Sequence, residues 1–156
     1  MGTEIERKFL VRNSDWRAAS RASKRIRQGY LASGGVNSVR VRIIDDSKAR
    51  LTVKSAASAV VRQEFEYDVP VEDGLELLAL CEGHIIEKVR HLVPAGPGRA
   101  WEVDVFAGPL EGLVLAEIEL DAADEAFTAP DWLGREVTDE RCYANASLAR
   151  SGKVPV

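Results

Sequence analysis

Apolar and polar residues alternate along most of the chain, and this period of two predicts β-strands rather than helices. Turn residues such as Ser33-Gly34-Gly35 and Asp45-Asp46-Ser47 separate several of the alternating segments. The pattern therefore predicts a mainly β fold of the α+β class, with eight strands at about 3–11, 26–32, 37–45, 49–55, 60–69, 85–93, 99–106 and 113–121.

Helical signals are fewer and shorter than strand signals. Short helices are predicted at 15–21 and 124–127, and a C-terminal helix over 139–150. The segment 71–81 has leucines on one side and ends before Gly83, which is typical of an amphipathic helix with a glycine stop. We expect these few helices to flank the sheet, with its apolar faces turned outward beneath them.

Charged residues, rather than mixed polar ones, occupy the polar face of nearly every predicted strand. Because like charges side by side on a sheet are unfavourable, a functional role is a better interpretation than a solvated surface. The basic members are Lys8, Arg40, Arg42, Lys54, Lys88 and Arg90. The acidic members are Glu4, Glu6, Glu64, Glu66, Glu102, Asp104, Glu117 and Glu119. If these six bases and eight acids converge, their formal charge is −2 before any ligand binds.

Bulk composition excludes several classes of function. The 156 residues fit one domain, and the net charge of −4 argues against a nucleic-acid coat or a polybasic membrane anchor. No apolar run is long enough to span a membrane, and the first residues do not resemble a secretion signal. With Cys81 and Cys142 the only cysteines, far apart, a reducing cytoplasm is the predicted location.

The charge types indicate which ligands such a face would hold. An eight-stranded sheet that closes on itself leaves an interior wide enough for one small ligand. Carboxylates without histidine or cysteine suit Mg²⁺ or Mn²⁺, whereas arginine and lysine suit phosphate oxygens. A metal and a polyanion in one site is the arrangement that phosphoryl-transfer chemistry uses.

Glu4-Ile5-Glu6-Arg7-Lys8 has acids and a lysine in the spacing ExExK. This spacing is the signature of the CYTH superfamily, the triphosphate tunnel metalloenzymes, which the chain resembles. Later segments resemble the successive family strands and C-terminal segment in order: Gln28 to Leu31, Arg40 and Arg42, Leu51 to Lys54, Glu64 and Glu66, Lys88 and Arg90, Ala116 to Leu120, and Trp132 to Leu148. The likeness is nearest to the short bacterial members that resemble inorganic tripolyphosphatases.

The resemblance implies a single CYTH domain over 1–156, folded as a closed eight-stranded antiparallel β-barrel that forms a tunnel. The six basic residues would bind the triphosphate. Glu4, Glu6, Glu117 and Glu119 would be the main metal ligands, with Glu64, Glu66, Glu102 and Asp104 as further candidates. Lys8, Glu4 and Glu64 would serve in catalysis, and Tyr143 and Asn145 could close one mouth. The chain departs from the family at Cys142 and Ser147.

The function predicted is divalent-metal-dependent hydrolysis of inorganic triphosphate, with Mg²⁺ or Mn²⁺ as the cofactor. Alternatives on the same fold are a nucleotide or thiamine triphosphatase, a class IV-type adenylate cyclase and a non-catalytic polyphosphate or nucleotide sensor. A nucleotide enzyme needs a pocket for the base or thiazole ring, and the sequence indicates no such aromatic cluster beyond Tyr30, Phe65 and Tyr67. The expected partners are inorganic triphosphate or a nucleoside triphosphate, without nucleic acid or membrane, and a homodimer is left open.

Overall fold

A computed structural model describes residues 2–56 and 61–156 of the chain. In these residues the strands are β1 (Gly2–Val11), β2 (Ala22–Ala32), β3 (Asn37–Ile44), β4 (Lys48–Ala56), β5 (Val61–Val69), β6 (Glu82–Pro94), β7 (Ala100–Phe106), β8 (Val114–Glu119) and β9 (Leu133–Glu136). The helices are α1 (Val71–Ala79) and α2 (Asn145–Ser151), with 3₁₀ turns at Asp15–Ala19, Gly108–Leu110 and Arg141–Tyr143. The first residue of the predicted strand 60–69 lies outside the described residues.

The strands form one antiparallel sheet that closes on itself. Their order is β5-β4-β3-β2-β6-β7-β8-β1, and pairing of β1 with β5 completes the ring. This confirms the predicted eight-stranded barrel. The four-residue strand β9 adds to β1 outside the ring, where the register shifts between Phe9 and Val11. β9 was not expected, because a strand of this length has too few residues to show an alternating pattern.

The helix predictions are partly confirmed. The segment 71–81 is helical as α1, and 15–21 contains the 3₁₀ turn Asp15–Ala19. The predicted helix at 124–127 is wrong: the chain makes a turn there and continues without regular secondary structure, and Phe127 packs against the rings of Phe9 and Trp101. The C-terminal helix is shorter than predicted and begins at Asn145, because Ala144 is extended. None of the described helices is long and apolar enough to cross a membrane.

Apolar residues pack both outside the barrel and across one of its ends. On the outside, α1 covers Val41, Ile43 and Ala49, as expected of sheet faces turned toward helices. A second outer cluster, which includes the Trp101 and Trp132 rings, lies under the chain that leads to β9. The third cluster fills the barrel end that α2 and the Arg141–Tyr143 turn cover, and its members include Tyr30, Ile86, Phe106, Leu115, Tyr143 and Leu148. Apolar packing therefore closes this end of the barrel.

Gly74 sets how closely α1 approaches the barrel. A Cβ at this position would lie 2.3 Å from the Ala49 Cβ and 2.9 Å from the Ile43 Cδ1. Gly74→Val is therefore expected to lower the free energy of unfolding by about 1–3 kcal/mol through overpacking, as urea titration would measure. Gly35→Val should change the free energy of unfolding much less, because a Cβ at Gly35 would have no atom within 4 Å apart from its chain neighbours. Equal losses for both variants would contradict the packing argument.

Candidate active site

The barrel contains a cavity of about 220 Å³ in which most of the lining residues are charged. Strand alternation explains this, because every second residue of each strand points inward. The lining bases are Lys8, Lys24, Arg40, Arg42, Arg50, Lys54, Arg62 and Arg90, and the lining acids are Glu4, Glu6, Glu64, Glu66, Glu102, Glu117 and Glu119. Twelve of the fourteen charges singled out in the sequence therefore meet in one cavity.

Lys88 and Asp104 are the two predicted site residues that do not line the cavity. They are buried in its wall, with side chains 0% and 1% exposed and Lys88 Nζ 2.6 Å from Asp104 Oδ2. Asp104 also accepts hydrogen bonds from Arg90 Nε at 2.7 Å and Arg90 Nη2 at 2.9 Å. Asp104 thus fixes the guanidinium of Arg90, and its carboxylate is fully engaged by these two bases.

The charges around Asp104 keep it ionised despite its burial. Burial alone would raise the pKa of this carboxyl, but the adjacent Arg90 and Lys88 outweigh burial and lower it to about 2. The same carboxylate, with Glu102, holds the pKa of Arg90 well above its usual range against the opposing effect of burial. The three side chains therefore form a buried ion cluster that presents Arg90 to the cavity.

Guanidinium groups crowd the β3 side of the cavity. Arg42 Nε donates to Gln28 Oε1 at 2.7 Å, while Arg40 Nη2 donates to Thr52 Oγ1 at 3.3 Å. Burial, and then the positive charges of Arg40 and Arg90, lower the pKa of Arg42 to about 9. Among the described residues, Arg40 Nε is buried without a hydrogen-bond partner. Unsatisfied donors and mutual repulsion between cations both favour binding of an anion here.

Carboxylates crowd the β1–β8 side in the same way. Glu6 lies directly opposite Glu119 in the ladder, and Glu117 lies opposite Lys8 and Glu102. Burial, and then the neighbouring Glu117, raise the pKa of Glu6 to about 8. Burial, followed by Glu4 and Glu102, raises the pKa of Glu119. A cation among these groups would relieve their repulsion.

The donor set fits a hard divalent cation, because every donor in it is an oxygen and the carboxylates are partly or wholly buried. Within residues 2–56 and 61–156, no three His, Cys, Asp or Glu side chains already converge on a single metal position. Lysines neutralise some of the acids instead: Lys54 Nζ lies 3.0 Å from Glu4 Oε1 and 3.5 Å from Glu64 Oε2. Glu4 and Glu64 thus share one lysine as their counter-ion.

Sequence reasoning missed three bases of the lining, Lys24, Arg50 and Arg62. Arg50 and Arg62 share the strand parity of predicted residues, Arg50 with Lys54 and Arg62 with Glu64, so the alternation contained the signal. Lys24 lies opposite Arg90 in the ladder between β2 and β6. With these additions the lining has eight bases and seven acids, a formal charge of +1 instead of the expected −2.

The C-terminal segment forms the inner boundary of the cavity. Ala144, Asn145 and Ala146 line it. Asn145 Oδ1 accepts from Gln28 Nε2 at 3.3 Å and from Lys88 Nζ at 3.5 Å, and the Tyr143 carbonyl oxygen accepts from Lys8 Nζ at 3.1 Å. Tyr143 therefore contacts the lysine of the ExExK segment and Asn145, at the start of α2, contacts the wall, as expected of a segment that closes one mouth.

Residues 2–150 match the CYTH domain family. The chain belongs to this family. Membership implies a divalent metal cofactor, since the family comprises the triphosphate tunnel metalloenzymes. The chain is similar to proteins named inorganic triphosphatase from Acetivibrio thermocellus, at 43% identity over 97% of this chain and 96% of the relative, and from Nitrosomonas europaea, at 35% identity over 96% and 98%. A solved crystal structure of an inorganic triphosphatase superposes with a TM-score of 0.68 at 37% identity and covers 97% of both chains.

Proposed function

We propose that this CYTH protein hydrolyses inorganic triphosphate inside the barrel cavity. The observation that carries the proposal is the lining itself, in which eight bases and seven acids face each other in about 220 Å³. Bases alone would serve a sensor of polyanions, whereas buried, crowded carboxylates favour a metal-dependent reaction. The two relatives named inorganic triphosphatase, aligned over nearly the whole chain, support the same substrate.

Substrate binding falls to the bases that line the cavity. We assign phosphate contacts to Lys8, Arg40, Arg42, Lys54 and Arg90, with Arg40 Nε supplying a buried donor that has no acceptor among the described residues. Lys88 was predicted to contact phosphate as well. Because its ammonium is engaged by Asp104 and Asn145 in the wall, we instead assign Lys88 to holding Asp104, and through it Arg90, in place.

Metal binding falls to the crowded carboxylates. We assign Glu4, Glu6, Glu117 and Glu119 as the main ligands of Mg²⁺ or Mn²⁺, with Glu64, Glu66 and Glu102 as further candidates. Asp104 leaves this set, because Arg90 and Lys88 already occupy both of its oxygens. A bound divalent cation supplies charge neutralisation to the phosphate oxygens.

The protein side of the reaction is positioning and proton transfer. Hydrolysis forms a bond from a water oxygen to phosphorus and breaks a phosphoanhydride bond, which yields phosphate and pyrophosphate. Burial and a hydrogen bond to Glu64 raise the pKa of Glu4, which suits this pair to orient the water and accept its proton. The Lys8 ammonium lies among the acids of the cavity and stabilises the oxygen that leaves.

Phosphate release from tripolyphosphate, ATP and thiamine triphosphate tests the proposal. With Mg²⁺ or Mn²⁺ we expect tripolyphosphate to be the preferred substrate, and with EDTA we expect its hydrolysis to fall at least about 100-fold, because the cation provides several kcal/mol of charge stabilisation. Formation of cyclic AMP and pyrophosphate from ATP would favour the cyclase alternative. Absence of release from all three substrates would favour the sensor.

Two broader expectations stay predictions, a single domain over 1–156 and a cytoplasmic location. The homodimer stays open, and sedimentation of the purified chain measures it directly.

A further inference from the structure

The residues that follow β9 hydrogen-bond to β1 at Lys8. The side chain of Lys8 lines the cavity and reaches the Tyr143 carbonyl oxygen. The Val137 amide donates to the Lys8 carbonyl oxygen at 2.8 Å, and the Lys8 amide donates to Thr138 Oγ1 at 3.0 Å. On its other edge β1 pairs with β8, where Lys8 lies opposite Glu117. Both the amide and the carbonyl of Lys8 therefore point away from β8, and their hydrogen bonds go to Thr138 and Val137.

The hydroxyl of Thr138 is fixed in direction by a second contact. Thr138 Oγ1 donates to Glu136 Oε2 at 2.6 Å, and the Glu136 carboxylate accepts from Arg7 Nε at 2.8 Å and Arg7 Nη2 at 2.6 Å. Since a hydroxyl has one hydrogen, this bond leaves a lone pair of Oγ1 to accept from the Lys8 amide. Arg7 and Lys8 are adjacent on a strand, so their side chains lie on opposite faces of the barrel wall.

The same C-terminal segment also binds the far end of the Lys8 side chain. Lys8 Nζ donates to the Tyr143 carbonyl oxygen at 3.1 Å and lies 3.9 Å from Glu117 Oε1, in a residue only 6% exposed. Lysine has a flexible four-carbon stem, so the place of its ammonium depends on where its backbone is held. Residues 137–143 thus hold Lys8 at its amide, its carbonyl and its ammonium.

We propose that Thr138 is a positioning residue for the reaction, acting from outside the cavity by holding the Lys8 backbone through its hydroxyl. The inference rests on the proposed function. Thr138 is absent from the cavity lining, so its hydroxyl reaches the substrate site only through Lys8. Small misplacements of a group at the reacting atoms reduce the rate strongly, while binding by the remaining cavity bases persists.

Thr138→Val removes the hydroxyl at nearly constant shape and tests this role. We expect kcat for tripolyphosphate to fall about 10- to 100-fold, by the usual effect of misplacing a catalytic group, with KM within about twofold. Thr138→Ser retains the hydroxyl and should restore kcat to within about threefold of the parent. Thr128→Val, the same change at an exposed threonine outside the cavity lining, should leave both constants unchanged.

Hydrogen exchange of the Lys8 backbone amide, followed by NMR, reports the same contact without catalysis. Exchange should be faster in Thr138→Val than in the parent and near the parent rate in Thr138→Ser. An active parent with unchanged kcat in Thr138→Val, or equal losses of kcat in the valine and serine variants, would overturn the positioning role alone. A parent protein that releases no phosphate would overturn the proposed function. Hydrogen exchange of the Lys8 amide would still report its hydrogen bond to Thr138 Oγ1.

Discussion

Replacing Glu117 with alanine is expected to reduce metal-dependent release of phosphate from tripolyphosphate by about 10²–10³-fold, the range seen when one electrostatic partner of a transition state is removed. Glu117 is buried, lies opposite both Lys8 and Glu102 in the sheet, and crowds Glu6. Its loss removes a proposed metal ligand and also leaves the Lys8 ammonium without its nearest carboxylate. Steady-state kinetics with Mg²⁺ or Mn²⁺ measures the effect.

The matched variants for Glu117 separate its charge from its bulk. Glu117→Gln keeps the side-chain size and should lose nearly as much activity as the alanine variant, because charge is what the cation requires. Glu72→Gln, at an exposed position on α1, makes the same chemical change outside the cavity lining and should keep parent activity. A Glu117→Ala protein with full metal-dependent activity would remove Glu117 from the site.

Asp104→Asn is expected to be the most damaging single change to stability, lowering the free energy of unfolding by about 3–5 kcal/mol. The carboxylate accepts from Lys88 at 2.6 Å and, through two bonds, from Arg90, and all three side chains are buried. Asparagine keeps the shape but leaves the buried Arg90 guanidinium without its compensating charge, and it removes the charge that opposes the effect of burial on the Lys88 pKa. Urea titration at neutral pH measures the loss.

Asp68→Asn is the control for this prediction. Asp68 also pairs with an arginine, at 3.1 Å from Arg50 Nε, but its side chain is 85% exposed, so water screens the pair. We expect the free energy of unfolding of this variant to stay close to that of the parent. If the two asparagine variants lost similar stability, burial would not be the reason for the importance of Asp104.

Strand alternation predicted which face of each strand is charged, and it was right because side-chain direction in a strand depends only on parity. Strand alternation could not predict how far along the barrel axis each side chain lies. Lys88 and Arg90 share a face, yet Lys88 lies beside the apolar end, with its ammonium 5.4 Å from the centre of the Phe106 ring, while Arg90 reaches the cavity. The position of a side chain along the barrel axis depends on the register of β6 against β7 and on where α2 lies. Both are features of the tertiary structure.

The remaining errors have the same origin. The helix predicted at 124–127 failed because Phe127 gains more by packing on Phe9 and Trp101 than a short isolated helix could offer. Strand β9 is too short to show an alternating pattern, and its place is set by a close approach at Gly134, where a Cβ would lie 2.9 Å from the Leu10 carbonyl oxygen. Such close contacts between distant segments leave little trace in local sequence patterns.

Closure of the ring by β1 has a consequence for the order of folding. β2 to β5 join their sequence neighbours through short connections, whereas β1 pairs with β5, β8 and β9, all far along the chain. Contacts at long sequence separation form slowly, because a large loop must be ordered first. Glu6 and Lys8 therefore meet Glu119 and Glu117 only when β8 has formed, so we expect catalytic activity to be regained later in refolding than most of the β-structure.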